Sequence, residues 1–166
     1  MSIPILSLCE ADTIIIGQTM GKMLAPGSVV ALFGAFGAGK TVFVRGLARG
    51  LGLDDTQVCS PTFSLLNEYR SEGAPVLCHF DMYRVTDEES LQATGYYDLL
   101  DTGAVLSIEW SENILHALPE HTYVVFIFPG PDENSREISI EGAQNAMPMQ
   151  DAQGDSSPHS GGGLGL

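Results

Sequence analysis

Residues 34–41 read GAFGAGKT, directly after the apolar run Ser28 to Phe33 and directly before a segment with helical periodicity. No other stretch constrains the fold as tightly. The pattern G-x-x-x-x-G-K-[ST] predicts a strand buried on both faces, a glycine loop and a helix in immediate succession. Gly34, Gly37 and Gly39, with Ala38 between them, let the backbone turn successive N–H groups inward around a β-phosphate, a path that larger side chains would obstruct. Lys40 then reaches the β- and γ-phosphates. Thr41 lies in the first turn of the helix, where its hydroxyl can ligate Mg²⁺ and the helix dipole favours phosphate charge. Beyond it Phe43, Leu47 and Leu51 share a helical face, Arg45 and Arg49 lie one turn apart on another, and Gly52 marks the end. The expected fold class is therefore α/β, a P-loop NTPase-like three-layer fold, with ATP and Mg²⁺ as the expected cofactors.

The remaining pattern fits one domain around that unit. At 166 residues and 44% hydrophobic, the chain has enough apolar surface for a sizeable core. A helix is expected from Glu10 to Leu24, capped by Asp12 or Thr13 and stopped by Ala25-Pro26-Gly27. Strands are expected at Thr62 to Arg70 and Val76 to Arg84, joined as an antiparallel hairpin across Ser71-Glu72-Gly73-Ala74-Pro75, and at Val105 to Glu109. Asp87 to Thr94 and Ser111 to Leu118 read as short helices, and Tyr123 to Phe128 and Glu137 to Glu141 as the last strands. Together these predict a mixed, mainly parallel sheet. The ATPase domain is placed at 1–143. Residues 144–166, rich in Gly, Ser, Pro and Gln, are expected to be a disordered tail.

Charge and cysteine usage narrow the function classes. Seven basic against 21 acidic residues give a formal net charge of −14, which opposes direct, tight binding of nucleic acid. Only two lysines occur, Lys22 and Lys40, so a lysine inside a phosphate-binding pattern carries weight. The three cysteines, Cys9, Cys59 and Cys78, are odd in number and lack CxxC spacing, which argues against a disulfide framework and a zinc site. With no apolar run of membrane-spanning length and no basic region before the short N-terminal apolar stretch, the chain is expected to be cytoplasmic.

A phosphate loop needs a carboxylate near the metal and a group that orients water before hydrolysis is fast. Val105-Leu106-Ser107-Ile108-Glu109 ends an apolar strand in a carboxylate, which places Glu109 to hold Mg²⁺ directly or through water. In His79-Phe80-Asp81-Met82-Tyr83 strand alternation puts His79, Asp81 and Tyr83 on one face. Asp81 is the residue expected to carry chemistry. His79 and Tyr83 stay open between that site and the solvated face of an edge strand. Pro61 stiffens the backbone before Thr62, whose hydroxyl either faces a γ-phosphate or sits in a turn without a ligand.

Taken in order, GAFGAGKT, VRGLARGLG at 44–52, SPTFSLLNEY at 60–69, HFDMYR at 79–84 and IEW at 108–110 resemble the TsaE family. These are P-loop ATPases of bacterial tRNA threonylcarbamoyladenosine biosynthesis. The resemblance covers about residues 10–142 and implies an ATPase that binds the TsaD and TsaB proteins and supports repeated turnover by TsaD, meeting tRNA only through that complex. It implies that Lys40 binds phosphate, that Thr41 and Glu109 ligate Mg²⁺, that Thr62 is switch-like and that Asp81 is the acid needed for hydrolysis. It also implies nucleotide contacts from Thr13 and Arg136.

The chain departs from the family pattern at Ala35-Phe36, where Asp-Leu is usual, and at Val42, where a second Thr is usual. Loss of an acid beside the triphosphate and of a reserve hydroxyl beside Thr41 leads us to expect a weak ATPase. A small-molecule kinase is a rival reading, but the five arginines include no basic lid segment. A nucleotide-gated binding module without significant hydrolysis is the other.

Overall fold

The computed structural model describes residues 3–142. The expected tail at 144–166 lies outside the described residues. Along the chain come β1 (Ile5–Ser7), α1 (Glu10–Gly21), β2 (Val29–Phe33), α2 (Lys40–Gly50), β3 (Leu66–Tyr69) and β4 (Leu77–Asp81). They are followed by α3 (Glu88–Ala93), α4 (Tyr96–Leu100), β5 (Val105–Glu109), β6 (Tyr123–Pro129) and β7 (Arg136–Glu141), with 3₁₀ segments at Asp55–Gln57 and Ser111–Ala117.

The fully apolar β2 occupies the middle of a seven-stranded sheet of order β1-β7-β6-β2-β5-β4-β3, as continuous burial of Val29, Val30, Ala31 and Leu32 requires. The central strands β6, β2, β5 and β4 run parallel. The outer pairings β1–β7, β6–β7 and β3–β4 are antiparallel, the last being the expected hairpin. Val30, Leu32, Leu77, Val105, Val125 and Ile127 face α1 and α2. Val29, Cys78, Phe80, Leu106 and Ile108 point the other way, on to Leu91, Tyr96 and Ile114 of the second helical layer.

Helices α1 and α2 meet backbone to backbone. A Cβ added at Gly21 would lie 2.5 Å from the Leu47 carbonyl oxygen and 3.0 Å from Gly50 Cα, and one at Gly46 would lie 2.8 Å from Gly17 Cα. Glycines spaced four apart on each helix, Gly17 with Gly21 and Gly46 with Gly50, therefore set the crossing. This fixes α2, the helix that carries Lys40 and Thr41.

Several element bounds differ from those expected. The Thr62 to Arg70 strand begins only at Leu66, because the Leu65 N–H bonds the Pro61 carbonyl (2.7 Å) and Leu65 turns left-handed at φ 65°. The strand expected over Val76 to Arg84 is Leu77–Asp81, ending where the Tyr83 N–H bonds back to the Asp81 carboxylate (2.9 Å). Helix α1 stops at Gly21, short of Leu24. Ser111 to Leu118 is a 3₁₀ segment broken at Ile114, rather than an α-helix. The short helix expected over Asp87 to Thr94 is Glu88–Ala93, with Asp87 as its cap: the Asp87 carboxylate accepts from the Ser90 N–H (2.8 Å) while the Ser90 hydroxyl accepts from the Asp87 N–H. Strand β1 and helix α4 were not expected.

Candidate functional site

The loop leaves the C-terminal end of β2, and the neighbouring parallel strands end at the same level. Leu32, Glu109 and Asp81 are register partners across β2, β5 and β4, so both carboxylates stand beside the loop on the face that α2 covers. This is the crevice at strand C-termini where α/β sheets bind ligands. Glu109, Asp81 and Lys40 are all buried.

The loop is shaped by glycines with different duties. Gly37 (φ 75°) and Gly39 (φ 104°) are left-handed, and a Cβ at either meets no atom within 4 Å, so both open on to free space. Gly34 instead passes so close to β6 that a Cβ would lie 2.6 Å from the Ile127 carbonyl oxygen. Gly39 caps α2, whose first N–H groups have no partner within the helix. The Lys40 ammonium folds over its own loop, donating to the carbonyls of Gly34 (2.7 Å) and Ala35 (3.0 Å), and lies 4.1 Å from the centre of the Trp110 ring. Burial lowers its pKa below the usual lysine range, although Glu109, Glu112 and Asp81 act in the opposite sense.

Thr41 and Glu109, 68 residues apart, are joined directly: the Thr41 hydroxyl donates to Glu109 Oε1 at 2.7 Å. Burial would push the Glu109 carboxyl up, but hydrogen bonds from His79 and Thr41 and the charge of Lys40 together hold it below the usual range, so it is ionised at neutral pH. The second carboxylate is organised separately. Asp81 Oδ2 accepts from the Thr62 hydroxyl (3.0 Å), which lies 2.7 Å from the Ser60 hydroxyl, while Oδ1 accepts from the Tyr83 N–H. Backbone strain gathers at the same place. Among the described residues Trp110 (φ 59°) and Leu65 (φ 65°) are the two non-glycine residues with positive φ, each at a cost of about 1–3 kcal/mol, and they flank the two carboxylate groups.

A cleft of 380 Å³ adjoins the loop, lined by Cys9, Thr13, Gly37, Gly39, Val42 and Arg136 among others. Thr13 lines this cleft, and its hydroxyl is paired with that of Ser7 (2.8 Å), which itself donates to the Cys9 carbonyl. Arg136 grips the loop: its guanidinium donates to the carbonyls of Ala38 (3.0 Å), Glu133 (2.9 Å) and Ser135 (2.7 Å). Its contact with the site is therefore through the backbone of the cradle.

The structure thus brings together Lys40, Thr41, Thr62, Asp81 and Glu109 at one crevice and sets Thr13 and Arg136 along its side. His79 belongs with the first group. It lies on β4 between β5 and β3, so it faces the interior beside Glu109 and the solvated-edge alternative does not hold for it. Tyr83 lies beyond the strand end and is 59% exposed, with its ring 4.9 Å from that of Trp110.

A family model described as threonylcarbamoyl adenosine biosynthesis protein TsaE matches residues 8–138. The chain belongs to the TsaE family. It is 41% identical over 129 residues to a tRNA threonylcarbamoyladenosine biosynthesis protein TsaE of Treponema pallidum, covering 78% of this chain and 93% of that one. A TsaE protein of Nostoc is 38% identical over 134 residues, covering 79% and 80%. Among solved structures the fold is similar to that of Bacillus subtilis YdiB, with a TM-score of 0.68 and 27% identity over 84% of each chain. The matched span holds all of the residues gathered at the crevice.

Proposed function

We propose that this TsaE-family chain binds ATP with Mg²⁺ at the GAFGAGKT crevice and hydrolyses it weakly, in support of tRNA threonylcarbamoyladenosine formation by a TsaD–TsaB transferase pair. The observation that carries this reading is the Thr41–Glu109 bond, which joins the loop threonine to an ionised carboxylate at the end of the neighbouring strand. The names of the relatives supply the pathway.

The residues present fit the cofactors. One hydroxyl and one carboxylate are hard oxygen donors suited to Mg²⁺, which takes few protein ligands and fills its remaining places with phosphate oxygens and water. Among the described residues there is no group of three or more His, Cys, Asp or Glu that would hold a metal by itself. Thr41 and Glu109 would hold Mg²⁺ together with the nucleotide; the ion supplies charge neutralisation at the β- and γ-oxygens. Lys40 exchanges two loop carbonyls for charged phosphate oxygens, a stronger partner for an ammonium in a buried place. Asp81, held by Thr62 and the Tyr83 N–H, is placed to orient or deprotonate the attacking water. The cleft beside Arg136 has room for the nucleoside. Exposed Ala35, beside exposed Phe36, leaves the mouth of the loop without the acid usual in the family, which favours slow turnover in isolation. A role in tRNA modification fits a cytoplasmic chain; among the described residues no helix is long and apolar enough to cross a membrane.

Glu109→Ala in a reconstituted modification assay tests the reading. Loss of multiple turnover with some nucleotide binding retained is expected. Unchanged multiple turnover would make the chain a nucleotide-gated binding module, with hydrolysis irrelevant to its role.

A further inference from the structure

Two buried side-chain atoms among the described residues lack a hydrogen-bond partner, Nδ1 of His79 and Oγ of Ser107. They belong to register partners on β4 and β5, two pairings before Asp81 and Glu109 and on the same face of the sheet. His79 is fully buried, and its Nε2 lies 2.8 Å from Glu109 Oε1, the oxygen that also accepts from Thr41.

The protonation pattern follows from these contacts. An ionised Glu109 only accepts, so Nε2 must carry the hydrogen it donates. Two donors then converge on Oε1. Oε2 has no hydrogen-bond partner among the described residues and is the oxygen left free. A carboxylate torsion is broad and two-fold, so one donor leaves Glu109 free to rock between its oxygens, whereas two from different elements fix it.

We propose that His79 is a positioning residue, a donor that clamps Oε1 of Glu109 and leaves Oε2 for the divalent cation carried by the nucleotide. This rests on the reading of Glu109 as a metal carboxylate. His79 touches neither nucleotide nor metal. Outer partners of this kind orient the ligand and set its basicity, and their loss costs about 10- to 100-fold in metal affinity.

The test is calorimetric binding of the β,γ-imido analogue of ATP with Mg²⁺ and with EDTA, for the wild type, His79→Leu and His79→Gln. The Gln amide nitrogen can stand where Nε2 stands. His79→Leu should lose about 10- to 100-fold of the Mg²⁺-dependent gain while its affinity in EDTA stays that of the wild type, and His79→Gln should restore most of the gain. Equal losses with and without Mg²⁺, or a Gln variant as poor as Leu, would overturn the proposal. If the wild type shows no Mg²⁺-dependent gain, the metal reading of Glu109 fails and the clamp with it. If the gain survives in His79→Leu, the clamp alone fails.

Discussion

Gly46→Ala tests whether the α1–α2 crossing sets the position of the phosphate-binding helix. Two effects oppose each other. Replacing a helical glycine by alanine gains about 1 kcal/mol of helix propensity. The new methyl, however, would stand 2.8 Å from Gly17 Cα and 2.9 Å from Gln18 N, and against the Ile14 carbonyl, where ordinary contact begins at 3.4 Å. Every obstacle is backbone, so relief requires the helices to part by more than half an ångström. Overpacking typically costs about 1–3 kcal/mol, and with no flexible side chain to yield, the upper end applies. The net loss expected is about 2 kcal/mol, a fall in Tm of about 4–8 °C for a chain of this size. Thermal and urea unfolding followed by circular dichroism measures it, with Thr19→Ala, exposed on α1, as a control without this clash. ATP affinity should drop alongside, because α2 carries Lys40 and Thr41 in its first turn. A Gly46→Ala protein that is as stable as the wild type, or more so, would show that the glycines are incidental.

Lys40 gives a pH prediction. Its pKa in the folded protein is lowered, chiefly by burial, so the charged form opposes folding and stability rises as pH climbs from that value towards the ordinary lysine value. Nucleotide needs the charged form, so ATP affinity should fall through the same window with uptake of a proton on binding; affinity that is flat until ordinary lysine titration would refute this. Asp81→Asn keeps the shape but removes the basic oxygen, and should slow multiple-turnover hydrolysis about 100-fold with little change in ATP affinity; an unchanged rate in a turnover assay would remove Asp81 from the mechanism. Arg136→Ala should cost about 2 kcal/mol in urea unfolding through the lost charged donors to Ala38, Glu133 and Ser135, and weaken ATP binding; stability within error of the wild type would mean that the loop needs no such brace.

What the sequence reveals is whatever depends on short spacing. GAFGAGKT announces strand, loop and helix because the glycines, Lys40 and Thr41 act within eight residues. Glu109 and Asp81 are legible as carboxylates at the ends of apolar runs. The contacts that make them a site span 19 residues for Thr62–Asp81 and 68 for Thr41–Glu109, and only the parallel register of β4, β5 and β2 brings them level. His79 was undecidable for the same reason: alternation gives its face, while neighbours on both sides decide that the face is interior. Helix α1 shows a different limit. A search for an apolar stripe finds little there, because its contact with α2 is made by glycine backbones. Strand β1 is three residues long and exists through pairing with β7, far along the chain, so no local pattern marks it.

The central claim is that ATP turnover at this crevice serves a partner complex. ATP hydrolysis by the purified chain should be measured alone, with TsaD–TsaB, and with tRNA added to that mixture. The account predicts turnover below about one per second alone, the low end of ordinary enzymes, and stimulation only when the TsaD–TsaB pair is present. A rate unaffected by TsaD–TsaB, or transfer of the γ-phosphate to an added small molecule, would contradict it.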